Sequence, residues 1–185
     1  MKKITLFVFL SFVSSQINAQ LIKQKSIDAS IGIGVSFPYD DVPISDCTGF
    51  YLKGDYVLTV SKWIDLRPYA GIILTYASGE DENGYPTDYE TTTKAMLLGG
   101  KARLKIPIPW FAPYLEGGIG TSIGSFKTYT LYDNIDRGGL AVHFPITLGV
   151  GIGPNHNYNL ALSYYMQPDL KQVLGAIAFG ATFPI

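Results

Sequence analysis

The chain has 185 residues, with 14 Lys and Arg against 15 Asp and Glu, a formal net charge of −1 and a single cysteine. That length suits one domain, and the balanced charge excludes a nucleic-acid footprint, which needs an excess of Lys and Arg gathered on one surface. The lone Cys47 excludes an intramolecular disulfide and lies too far along the chain to be a lipidated lipoprotein cysteine.

Residues 1–19 carry Lys2 and Lys3, an apolar run from Ile4 to Val13, and a polar stretch closing on Ile17-Asn18-Ala19. This reads as a secretory signal cleaved before Gln20, leaving a mature domain of residues 20–185. The apolar run is short of the roughly 20 residues that a spanning helix requires, which disfavours an uncleaved anchor. No later stretch is long enough to span as a helix, so a membrane location would require a closed barrel, whose backbone hydrogen bonds are all satisfied between strands.

From Ser26 onward the chain repeats an alternation of apolar residues in one phase with small or polar residues in the other. Strands are predicted at Ser26–Phe37, Phe50–Ser61, Ile64–Ser78, Thr93–Ile106, Phe111–Ser125, Leu140–Ile152, Tyr158–Gln167 and Val173–Ile185. Within Thr93–Ile106, Met96, Leu98, Ala102, Leu104 and Ile106 share one phase, and Lys101, Arg103 and Lys105 share the other. The connectors alternate in kind. Lys62-Trp63, Pro107–Trp110 and Gly153–Asn157 are short; Pro38–Gly49, Gly79–Thr92 and Phe126–Gly139 are long and rich in Asp, Glu, Gly and Tyr. Pro168–Gln172 is a short exception on the long-loop side. Short periplasmic turns and longer external loops give this rhythm, and an even strand count leaves both termini in the periplasm.

The phases assign the charges. Asp28, Lys53, Asp55, Asp65, Arg67, Lys101, Arg103, Lys105, Glu116 and His143 fall in the inward phase, while the outward phase has only Lys94, at a strand end. A Lys or Arg facing mid-bilayer lipid costs about 2–4 kcal/mol, so this asymmetry points to lipid outside and a polar lumen within. A soluble ligand-carrying barrel would put its apolar phase inside, and cations on the three successive inward positions 101, 103 and 105 cannot line an apolar cavity; a secreted soluble β-sandwich is the remaining alternative. Five inward cations against four carboxylates suggest a salt-bridged plug. A narrow ion or small-solute path is the alternative, although the interior of an eight-stranded barrel is just wide enough for side chains to fill. Gly32, Gly34, Gly71, Gly99, Gly118, Gly120, Gly149, Gly151 and Gly180 share the inward phase and make room for large neighbours. Trp63, Trp110, Phe111 and Tyr158 near the short turns, and Phe37, Phe50, Tyr76 and Tyr164 near the long loops, match two interfacial girdles.

Catalytic and metal chemistry find little support. His156 falls in a predicted turn, and His143 is inward, with Pro145 and Thr147 nearby rather than a serine two residues on. A lipid-modifying barrel enzyme would need His143 to face outward beside a hydroxyl residue. No His, Cys and Asp group stands at ligand spacing, so neither metal nor cofactor is expected. Cys47 is expected as a loop thiol, or else as one half of an intermolecular disulfide. The long loops are acidic, with Asp40, Asp41 and Asp46, then Glu80, Asp81, Glu82, Asp88 and Glu90, then Asp133 and Asp136. They read as a solvated surface; a sharper reading has them share divalent cations with lipopolysaccharide phosphates or contact an envelope protein.

The run Phe111-Ala112-Pro113-Tyr114-Leu115-Glu116-Gly117-Gly118-Ile119-Gly120 resembles the Pro-Tyr, glycine-alternating strand of the small outer-membrane β-barrel superfamily. The superfamily comprises OmpA/OmpX-like transmembrane barrels, and the resemblance is to its Bacteroidetes-type outer membrane proteins. Arg67-Pro68-Tyr69-Ala70-Gly71 resembles a shorter copy, Phe144-Pro145-Ile146 a strand opening, and Gly180-Ala181-Thr182-Phe183 the terminal strand. The resemblance implies an all-β, eight-stranded antiparallel up-and-down transmembrane barrel in a Gram-negative outer membrane. It also implies a non-enzymatic role in envelope integrity, adhesion or a larger envelope machine, with outer-membrane lipid, lipopolysaccharide and, during biogenesis, the barrel-assembly machinery as partners. Members usually end in an aromatic residue read by that machinery. This chain ends Phe183-Pro184-Ile185, and Phe183, in phase with Ile177 and Phe179, is expected to take that place.

Overall fold

The computed structural model describes residues 22–40, 45, 47–81 and 83–185. The expected signal segment 1–19 and the loop carboxylates Asp41, Asp46 and Glu82 lie outside the described residues.

Alternation with period two forbids a helix with one apolar stripe and leaves strands with two unlike faces. Eight form: β1 (Gln24–Pro38), β2 (Cys47–Thr59), β3 (Ile64–Ala77), β4 (Glu90–Lys105), β5 (Phe111–Tyr129), β6 (Asn134–Ile152), β7 (Tyr158–Gln167) and β8 (Gln172–Pro184). Each pairs antiparallel with its neighbours in chain order, and β1 closes on β8 from Ser26 opposite Pro184 to Pro38 opposite Gln172. Closure removes both sheet edges, which is what hydrocarbon surroundings demand of a sheet.

Two prolines interrupt the ladders. The β5–β6 pairing runs to Gly117 opposite Ile146 and resumes at Gly120 opposite His143, across Pro145, which has no N–H to donate. The β2–β3 pairing breaks in the same way between Asp55 opposite Tyr69 and Leu58 opposite Leu66, across Pro68.

The two faces differ as the alternation requires. Ile31, Ile119 and Ile177 on the outer face are 55%, 59% and 61% exposed, whereas Tyr51, Ile73 and Tyr165 in the inward phase are wholly buried. Both chain ends of the barrel lie beside the short turns. Ser61 Oγ accepts from the amides of Trp63 and Ile64, and Gly153 takes φ +101° in the last of these turns. Trp63, Trp110, Phe111 and Tyr158 are exposed at this end; Phe50, Tyr76 and Tyr164 are exposed towards the other, where Phe37 is half-buried.

Three expectations change at the loop end. The long loop expected at Phe126–Gly139 is largely strand: β5 and β6 continue as a paired hairpin to Tyr129 opposite Asn134, and Thr130 donates its amide to the Asp133 carbonyl at 2.8 Å across the tip. Above the bilayer the outer face need not be apolar, so the lipid signature fades in sequence while the ladder continues. The longer strands accordingly carry outward charges at their ends, Glu90, Lys127 and Asp136 towards the loops and Lys25 at the terminal end, in addition to Lys94. Cys47 is not a loop residue. It opens β2 opposite Ala77, is 5% exposed, and donates from Sγ to the Ser45 carbonyl at 3.1 Å. The short Pro168–Gln172 connection contains one 3₁₀ turn, Pro168–Leu170, which drops Leu170 fully buried against Phe126, Ala95 and Ala141.

Candidate functional site

The inward side chains of β3 sample the lumen in order from the terminal end: Asp65, Arg67, Tyr69, Gly71, Ile73 and Thr75. They pass from a charged vestibule through an aromatic layer to an apolar and then a polar layer, and each layer is completed by other strands.

The ionic layer contains the sequence-expected charges. Glu116 on β5 accepts from Lys101 Nζ at 2.5 Å and Arg103 Nε at 2.7 Å, both on β4, and Arg67 Nε stands 3.6 Å away. Asp55 lies 2.9 Å from Lys53, and 3.4 Å from both Lys101 and Arg67. Asp28 receives Asn159 and Thr182 at 2.8 Å and Ser30 at 3.0 Å, with Arg67 Nη2 also at 3.0 Å. Asp65 holds Lys105 through both oxygens, at 2.7 and 2.9 Å. Apart from Lys105 at the rim, with 26% of its side chain exposed, every one of these charges is buried. Glycines make room beside this layer: a Cβ on Gly149 would lie 2.4 Å from the Tyr114 ring and hydroxyl, and one on Gly180 would lie 2.5 Å from Ser30 Oγ and 2.7 Å from the Asn159 amide.

His143 stands one layer further in, apart from the ion pairs. Its Nε2 meets Tyr69 Oη at 2.5 Å and its Nδ1 meets Ser122 Oγ at 2.8 Å; Gln167 donates to the same Ser122 oxygen at 2.7 Å. Tyr165 packs edge-on against the imidazole and pairs its hydroxyl with Tyr51 at 2.5 Å. The chain continues through Gln172, which donates to Gln167 at 2.6 Å and to Thr93 at 3.0 Å. A serine hydroxyl beside an imidazole has the atoms of a nucleophile and base. Here both residues are wholly buried, inside the wall and ringed by Tyr69, Tyr165 and Gln167, so no lipid chain on the outer face reaches them. Ile73, Leu97 and Leu174, all fully buried, cap this layer towards the loops.

Two ion pairs tie the loop end. Lys127 donates to Glu90, and Lys171 to Asp133 at 2.5 Å. In each pair the carboxylate hydrogen bond raises the lysine pKa above its ordinary value. Asp81 accepts from the amides of Asn83 and Tyr85, both at 2.9 Å, and so shapes its own loop. Among the described residues no three His, Cys, Asp or Glu stand together as a metal site.

Asn159, Thr182, Tyr51, Tyr69, Ser122, Gln167 and Gln172 complete this network and were not singled out from sequence. Their signal was the phase itself: each lies on the inward side of an alternating strand, where a polar residue needs a partner.

No family model and no curated protein sequence matches this chain. Solved structures are similar in fold. The Neisserial surface protein NspA superposes with a TM-score of 0.57 at 10% identity, over 87% of this chain and 97% of that one. The outer membrane enzyme PagL gives 0.51 at 15%, over 85% and 99%. The attachment invasion locus protein Ail of Yersinia pestis gives 0.50 at 17%, over 86% and 99%. With an apolar outer belt and buried charges already in place, the chain has the architecture of the small outer-membrane barrels: a closed, eight-stranded, antiparallel transmembrane β-barrel.

Proposed function

We propose that the protein is a non-enzymatic integral outer-membrane barrel, a sealed anchor that serves envelope integrity and presents its loops, as an adhesion or partner surface, outside the cell. The observation that carries this reading is the Lys101–Glu116–Arg103 cluster with the Tyr51–Tyr165 pair beyond it, which fills the bore with bonded side chains. Outer-membrane lipid and lipopolysaccharide surround the belt, and the barrel-assembly machinery inserts it. The acidic loops are the surface on which an envelope partner or lipopolysaccharide-bound divalent cations would act. Glu90 and Asp133 are committed to lysines and Asp81 to its own loop, so Asp40, Glu80, Asp88, Asp136 and, in the short β7–β8 connection, Asp169 are the described loop-end carboxylates left for that contact.

The reading is tested by single-channel recording of the refolded protein in a planar bilayer. A sealed lumen gives no discrete conductance steps, and steps in the parent protein would establish the narrow-path alternative instead. NspA, Ail and PagL show that one barrel architecture accommodates different roles, PagL being described as an enzyme. Lipid hydrolysis by the purified protein that disappears in His143→Ala would overturn the non-enzymatic part.

A further inference from the structure

The lumen is closed in its middle but hollow at the terminal end, where a cavity of 480 Å³ opens among the ends of the strands. Arg67 and Arg103 line its inner part, Lys105, Asp65 and Tyr114 its wall, and His156 its mouth. We propose that this vestibule is a binding site for a small soluble oxyanion, a carboxylate or phosphate, held by Arg103 and Lys105.

Charge count gives the first argument. The lumen holds five Lys and Arg (53, 67, 101, 103, 105) against four carboxylates (28, 55, 65, 116), an excess of one cation, and every carboxylate already has a cation within 3.0 Å. The excess lies in the ionic layer, where Lys53, Arg67, Lys101 and Arg103 share Asp28, Asp55 and Glu116, and two of those cations, Arg67 and Arg103, line the cavity, whose own Lys105 is balanced by Asp65. Interior charge without a counter-charge is unfavourable, and an anion entering from the terminal end would supply one.

Unused donors give the second. Arg103 commits its Nε to Glu116 and lays its guanidinium 3.5 Å over the Tyr114 ring, which fixes the fork beside the cavity. A guanidinium offers five N–H donors in a rigid plane suited to carboxylate or phosphate oxygens. The Tyr114 hydroxyl is buried against Gly149, and Arg67 Nε and Nη2 are buried against Glu116, Asp28 and Asp55, so the remaining Arg103 nitrogens and the Lys105 ammonium carry the contact. His156 turns its Nε2 to the Ile108 carbonyl at 2.8 Å, which shapes the mouth and leaves the cations to select the ligand. Because these groups lie on the inward phase, inside the wall, the ligand is a solute rather than a lipid headgroup of the surrounding bilayer.

The test uses the full mature chain, folded in a maltoside detergent that carries no phosphate, at constant ionic strength set with chloride. Inorganic phosphate, and separately acetate, is titrated while backbone amide resonances are followed. The expected result is saturable shifts confined to the vicinity of Tyr114, Gly151 and Asn157. Affinity should fall at least tenfold in Arg103→Gln and in Lys105→Gln, and remain that of the parent in Lys171→Gln at the opposite end. Lys105 is at the solvent rim, so its variant carries the test should Arg103→Gln fail to fold. Non-saturating shifts spread over all charged surfaces, or unchanged affinity in Lys105→Gln, would overturn the proposal.

Discussion

Replacing Glu116 by Gln keeps the side-chain volume and removes one negative charge from the centre of the ionic layer. Lys101 at 2.5 Å and Arg103 at 2.7 Å then lose their shared carboxylate, and the lumen excess rises from one cation to two. Breaking a buried ion pair by removing one partner costs about 3–5 kcal/mol, because the remaining charge is left desolvated. The surface pair gives the internal control: Lys127 and Glu90 are 45% and 23% exposed, and Glu90→Gln should cost about 0–1 kcal/mol. Reversible urea unfolding in lipid vesicles, followed by the fluorescence of Trp63 and Trp110, measures both on one scale if the denaturant slope is unchanged. A paired Lys101→Met, Glu116→Leu variant should lie closer to the parent than Glu116→Gln does, since it returns the lumen excess to one cation, four against three, and leaves only Arg103 without its carboxylate. Equal losses in Glu116→Gln and Glu90→Gln, both below about 1 kcal/mol, would refute a sealed ionic layer and indicate that water reaches these groups freely.

Further outcomes follow from the wall and the loop end. Ile119→Arg, halfway along the outer face of β5, should destabilise the barrel by about 2–4 kcal/mol in the same unfolding assay. Gly118→Ala should fail to give a compact, heat-modifiable band on unboiled gels, because its Cβ meets the Gly100 carbonyl oxygen at 2.1 Å. Leu170→Ala, which empties the plug under the β5–β6 hairpin, should cost about 2–5 kcal/mol and raise amide exchange in residues 126–138. Lys127 and Lys171 both have pKa values raised in the folded protein, so their contribution is complete below the ordinary lysine value of 10.5 and lost as pH rises through the raised one. Hydrogen-exchange protection of the hairpin tip should therefore hold through neutral pH and decline above about pH 10.5.

The wall was legible because hydrocarbon imposes one rule along every strand. Asp28, Lys53, Arg67 and Glu116 could be placed inside by phase alone, since a charge in the other phase would face lipid. Where the bilayer ends, the rule ends. Lys127 and Asp136 look like loop residues in sequence, yet they lie on a paired hairpin held by a backbone ladder that makes no demand on outward side chains. Cys47 was misplaced for the same reason, at a strand start beyond the apolar belt. Which partners the inward charges choose was not legible, because pairing depends on register between strands far apart in sequence: Asp28 meets Asn159 and Thr182 only once β1 closes on β8. Nor did His143 reveal its neighbours, since Tyr69 and Ser122 reach it across the bore from β3 and along the neighbouring strand β5.

The central claim is that the apolar phase faces lipid around a closed, charge-filled bore. A nitroxide label at Leu148, an outer position of β6 four residues inside its terminal end at Ile152, 54% exposed and paired with Leu115 and Leu162, tests it in a Cys47→Ser background in bilayers. Collision with oxygen, which concentrates in hydrocarbon, should far exceed collision with a water-soluble nickel chelate. The reverse ratio would place Leu148 in water and contradict the account.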